Sequence, residues 1–191
     1  MPRRFTTNSI IALWLTAAYI AGAAGSADAQ PPNQPPQAFA RATIDLGCVV
    51  SDVDAAVKFY TQAVGMKEVD GFDVPAGFAT RAGLTDQRPL SIRVLVLGDD
   101  DTATKLKLME VPGANSRSSD NTTIHSQLGF SYLTIFVTDM DAAVERLKRA
   151  QVKILAEGPV ELPAELAAGV YLTVVRDPDG NLVELVGPKK Q

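Results

Sequence analysis

The sequence predicts an α+β fold built from two consecutive βαβββ units, and three observations carry that prediction. "VSDVDAAVKFYTQA" at 50–63 returns as "VTDMDAAVERLKRA" at 137–150, with seven identities in fourteen ungapped positions. Each copy is preceded by a β-branched, apolar run and followed by several more. The last two of these runs flank "RDPDGN", a strong hairpin turn signal. An internal repeat of this kind fixes an architecture, because each unit supplies the same strands and helix a second time.

Taken in order, "ATIDLGCVV" at 42–50 and "FSYLTIFV" at 130–137 read as the first strand of each unit. Asp52 and Asp139 then stand where a carboxylate can cap a helix, and Asp54 and Asp141 fall in its positive first turn. Val53, Ala56, Val57, Tyr60 and Val64 make one helical stripe, and Met140, Ala143, Val144 and Leu147 make the other. Gly65 can end the first helix in a left-handed turn; Gln151 holds the corresponding place in the second copy, a local departure from that rule. Residues 66–70 and 154–160 supply one strand each. "IRVLVL" at 92–97 and "KLKLMEV" at 105–111 complete the first unit, "VYLTVV" at 170–175 and "LVELV" at 182–186 the second. The units thus occupy 40–112 and 130–191, joined by a polar connector at 113–129.

The N-terminal 29 residues read as an export signal. Arg3 and Arg4 precede an apolar run from Ile10 to Ala24, and Ala27 and Ala29 give the small-residue cleavage pattern. That run is shorter than the roughly 20 residues a membrane helix needs. The expected product is a periplasmic or extracellular protein cleaved near Ala29, with an uncleaved anchor as the alternative. Residues 30–39, rich in Pro and Gln, suit an extended tether. The remaining chain carries 16 basic and 21 acidic side chains, a mild acidity that argues against a nucleic-acid partner. Cys48 is the sole cysteine, so no disulfide forms within one chain, and its place in a strand-like run suits a buried thiol.

The "V-S/T-D-x-D-A-A-V" entry, Phe59–Tyr60 and the closing "DPDGNLVELVGP" at 177–188 resemble the vicinal oxygen chelate superfamily. Its members include glyoxalase I, methylmalonyl-CoA epimerase, extradiol dioxygenases and the bleomycin resistance proteins. The resemblance covers residues 42–188 and implies a mixed sheet curled into a cup, with the helices outside. It also implies four cup-facing positions where metal-binding members place ligands. Here these are Asp45, Lys107, Tyr132 and Glu184. Only Asp45 and Glu184 are ordinary ligands for a divalent ion, and Lys107 adds positive charge. The one histidine, His125, sits in the connector, so a two-histidine iron centre of the dioxygenase type cannot form within one chain.

Two functions follow as expectations. In the first, the cup binds a small anionic or oxygenated molecule without a metal, and the Lys107 ammonium pairs with Asp45 or Glu184 where the metal would lie. Phe136, Leu182 and Val186 would form its walls, and Tyr132 and Thr134 its polar anchors. If the hairpin pairs Arg176 with Asn181, Thr173 joins them opposite Glu184, and Arg93 would favour an anion if it faces inward. In the second, the protein is a lyase or isomerase. Glu184 would then be the general base, with Lys107, Tyr132 or a divalent Mg, Mn or Zn ion stabilising an enolate. A one-residue slip in "KLKLMEV" would place Glu110 or Leu106 in the cup instead of Lys107. A small-molecule ligand and a second copy of the chain are the expected partners.

Overall fold

A computed structural model describes residues 40–100 and 102–190; the expected export signal and the tether at 30–39 lie outside them. The first unit runs β1 (Asp45–Val49), α1 (Val53–Lys58), β2 (Lys67–Val74), α2 (Ala76–Arg81), β3 (Leu90–Val96) and β4 (Lys105–Glu110). The second runs β5 (Tyr132–Phe136), α3 (Met140–Arg149), β6 (Val160–Glu161), α4 (Ala164–Ala167), β7 (Val170–Arg176) and β8 (Leu182–Pro188). Each unit forms a four-stranded mixed sheet, in the orders β1-β4-β3-β2 and β5-β8-β7-β6. The first strand of each lies parallel to the last, and the other pairings are antiparallel. The architecture is the α+β fold expected, and its repeat is structural as well as textual.

The helix entries work as their sequence implies. The Asp52 carboxylate accepts from the Ala55 N–H at 2.9 Å, and Asp139 accepts from Ala142 at 3.0 Å. Gly65 and Gln151 both adopt the left-handed conformation that ends a helix, at φ 99° and 58°. The first helix departs from expectation halfway. Beyond Lys58 it widens into a π-helical segment, Phe59–Val64, in which the N–H groups of Gly65 and Met66 both donate to the Tyr60 carbonyl.

Other boundaries move for local reasons. The strand expected at 154–160 shrinks to β6 plus one isolated bridge between Ile154 and Val175, because Pro159 cannot donate to a ladder. The short helices α2 and α4 each begin directly after a proline, Pro75 or Pro163, whose fixed φ suits a helix start.

One core unites the two units. Tyr60, Ala63 and Val64 pack with Met140, Ala143 and Leu147, and with Leu95, Leu106 and Leu108 of one sheet and Val175, Val183 and Leu185 of the other. A polar stitch, buried at Tyr60 and exposed at Ser51, crosses the same boundary. The Tyr60 hydroxyl donates to the Asp177 carboxylate at 3.0 Å, and the Ser51 N–H donates to Asp179. The closing "DPDGN" is therefore more than a turn. Asp177 also accepts from the N–H groups of Asp179 and Asn181 and from the Asn181 amide, so no lone pair of this buried carboxylate is wasted.

Candidate functional site on the open sheet faces

Each sheet has one face turned to the helices and one turned away, and strand alternation decides which side chains lie on each. In the first sheet Leu46, Cys48, Leu106 and Leu108 share the core face. Asp45, Gly47 and Val49 therefore occupy the open face with Lys105, Lys107 and Met109. In the second sheet Leu133, Ile135, Val183 and Leu185 point to the core. Tyr132, Thr134 and Phe136 then share the open face with Leu182, Glu184 and Val186. The two ladders superpose in register: Lys107 lies beside Gly47 as Glu184 lies beside Thr134. Lys107 and Glu184 are therefore equivalent positions of the repeat, as the sequence implies.

On the first face the Lys107 ammonium is 2.8 Å from the Asp45 carboxylate, and the Arg41 guanidinium is 2.6 Å from its other oxygen. Gly47 carries no side chain beside Lys107, which leaves the lysine free to reach along the strand. Its ammonium also stands 5.8 Å from the centre of the Phe72 ring. Lys107, and then Arg41, hold the Asp45 carboxyl below its ordinary value of 3.8, against the opposing effect of burial. The trio Arg41, Asp45 and Lys107 carries one net positive charge. On the second face the Thr134 hydroxyl donates to Glu184 at 2.7 Å, and no cation pairs with that carboxylate among the described residues. This face also exposes aromatic surface: Phe136 is 78% exposed and Tyr132 49%.

Two expected site residues lie elsewhere. Thr173 pairs with Leu185, one place away from Glu184, because the hairpin aligns Arg176 with Leu182 and not with Asn181. That slip turns Thr173 into the core, where it is fully buried and its hydroxyl donates to the Met140 sulfur at 3.2 Å. Arg93 is in phase with Leu95 and Leu108 and so lies on the helix side. Asp54 at the start of α1 and Glu68 on β2 hold it there as ion pairs. Glu110 also points to the helix side and accepts from the Val53 N–H, so the slipped register does not occur. His125 stays in the connector, near the Thr123 hydroxyl. Arg41 and Phe72 escape the sequence reading: Arg41 precedes the first strand, and Phe72 follows an irregularity in the β2–β3 ladder.

As a metal centre this arrangement is a poor fit within one chain. Among the described residues no three His, Cys, Asp or Glu side chains gather around a point, and the Asp45 oxygens already face two cations. The chemistry available is that of a lysine and a carboxylate on one face, and of a hydroxyl-supported carboxylate among apolar side chains on the other. Cys48 does not contribute, since burial, reinforced by Asp177 and Asp179, pushes its thiol up to about 11.

Comparison with known proteins gives a consistent picture. The chain is 30% identical over 155 residues to a lactoylglutathione lyase of Pseudomonas putida, covering 73% of this chain and 80% of that protein. Its fold matches a glyoxalase family protein from Bacillus cereus with a TM-score of 0.66 at 19% identity, over 83% of this chain and all of the other. It also matches glyoxalase I from Zea mays with a TM-score of 0.58 at 23% identity, over 78% of this chain but only 45% of the maize protein. Residues 44–185 match the family model for the Glyoxalase/Bleomycin resistance protein/Dioxygenase superfamily, and the chain belongs to that family.

Proposed function

We propose that the protein binds a small anionic or oxygenated organic molecule on its open sheet faces, without a resident divalent metal. One observation carries this reading: the Lys107 ammonium sits against Asp45 at the strand position where the repeat has Glu184. A cation in that place lowers the affinity for a metal ion and raises it for a carboxylate or enolate oxygen. Export with cleavage near Ala29 would place the protein where it meets compounds before they enter the cell.

A second copy of the chain is the partner that suits these faces. One face is positively charged around Lys107, and the other offers Glu184, which meets the Thr134 hydroxyl but no cation among the described residues, beside exposed Tyr132 and Phe136. Opposed pairing of the two would cover apolar surface and satisfy the carboxylate. Light scattering on the cleaved chain tests this; the expected mass is that of a dimer, and a monomer at micromolar concentration would contradict it.

Identity to a lactoylglutathione lyase supports a second reading, in which the same face is catalytic and Glu184 is the general base. Glu184→Gln separates the two. A binder loses affinity for its ligand and has no turnover to lose, whereas a lyase or isomerase keeps its fold and loses turnover. The decisive assay monitors lactoylglutathione and a panel of small organic acids, by turnover and by calorimetry, with and without chelator. Binding that survives chelation and weakens in Lys107→Ala supports the metal-free reading. Turnover that requires added divalent ion overturns it.

A further inference from the structure

We propose a second ligand site on the opposite side of the molecule, one that takes an organic carboxylate with an apolar body. A groove of about 460 Å³ runs between α1 with its π-helical extension, the segment after α3, and the β7–β8 turn. Its floor is apolar, formed mainly by Val152 and Leu155 with the edge of Phe59, and Lys58 and Lys153 line it as well.

Comparison with its counterpart in the repeat makes the groove informative. A smaller groove of about 360 Å³ lies against α3, where the first unit meets the second. Both cations of that groove are engaged: Arg146 donates to the Val64 carbonyl, and Lys190 pairs with Asp139. In the larger groove Arg176 is likewise occupied, by the carbonyls of Gly180 and Thr122. The side chains of Lys58 and Lys153 have no ion pair or hydrogen bond among the described residues. Asp177, the acid in the groove, is spent on Tyr60 and the hairpin turn. In a chain of net charge −4, the groove therefore presents two uncommitted ammonium groups above an apolar floor. That combination selects a ligand with one anionic end and a hydrocarbon or aromatic body.

One wall of the groove comes from the π-helical segment. Phe59, Gln62 and Ala63 all line the groove, and the widened turn that presents them is absent from α3, which ends as an ordinary helix. The distinction between the two grooves is thus built into the backbone as well as the side chains.

Titration of the isotope-labelled cleaved chain with decanoate, followed through backbone amide shifts, tests the proposal. The expected shifts cluster at 55–63 and 150–155, persist in Lys107→Ala, and are reproduced weakly or not at all by acetate or decanol. Lys58→Ala/Lys153→Ala, two exposed positions that leave the fold intact, should raise Kd about fivefold, as befits two solvent-screened charges. Shifts confined to 132–136, no shifts at millimolar decanoate, or an unchanged Kd in the double variant would each overturn the assignment.

Discussion

Replacing Lys107 by alanine removes one of two cations from Asp45 and leaves the other, so its cost can be worked from the geometry. Two unit charges 2.8 Å apart attract by about 6 kcal/mol at an effective dielectric constant near 20, an upper bound for a partly exposed pair. Lys107 and Asp45 retain 29% and 18% of their side-chain exposure, and Arg41 remains at 2.6 Å to hold the carboxylate. The net loss then falls to that of a charge-assisted hydrogen bond, about 2 kcal/mol, including the weaker attraction to the Phe72 ring. For a domain of this size that is a fall in Tm of about 4–8 °C. Urea unfolding of wild type, Lys107→Ala, Asp45→Asn and the double variant isolates the pair, with an expected coupling of about 1–2 kcal/mol at pH 7. Because the folded-state pKa of Asp45 is lowered, this contribution is complete above the ordinary value of 3.8 and disappears as pH falls through the lower folded-state value. Coupling under about 0.3 kcal/mol at pH 7, within the error of additive sites, would refute the pair as an energetic unit. So would coupling that persists after Asp45 is protonated.

Three further outcomes are expected. Tyr60→Phe removes a buried donor from Asp177 and should cost about 1.5–3 kcal/mol in chemical denaturation with an unchanged m-value, since the stitch joins two halves of one core. Burial, and then the Asp177 charge, raise the Tyr60 pKa far above its ordinary 10, so the unfolded chain releases that proton first. Wild-type stability should therefore fall above pH 10 by about 1.4 kcal/mol per pH unit relative to Tyr60→Phe, as thermal melts in alkaline buffer will show. Cys48, with its thiol pushed up to about 11, should resist alkylation by iodoacetamide at pH 7.5 until denaturant exposes it; rapid labelling of the folded chain would contradict that burial.

The repeat made most of this fold legible. Capping aspartates, the left-handed stop at Gly65 and the hairpin turn are local signals, and they stand where local chemistry puts them; Gln151 takes the same left-handed conformation without a glycine to signal it. The strand faces of the candidate residues were legible, since alternation along "KLKLMEV" and "LVELV" puts Lys107 and Glu184 on the faces turned away from the helices. What escaped depends on offsets of one residue or on distant partners. Thr173 moved to the core because the turn closes Asp177 onto Asn181, so that the first ladder pair is Arg176 with Leu182. Arg93 was claimed by two acids, Asp54 and Glu68, that no spacing rule connects to it. The π-helical segment has no residue signature of its own, and it carries Tyr60 to Asp177 and forms one wall of the larger groove.

If Lys107 stands in for a metal ion, elemental analysis of the protein finds none. The protein, purified without chelator and measured beside Glu184→Ala, should carry no stoichiometric divalent ion in either form. About one Mg, Mn or Zn ion per chain in the wild type, lost in Glu184→Ala, would contradict that role for Lys107.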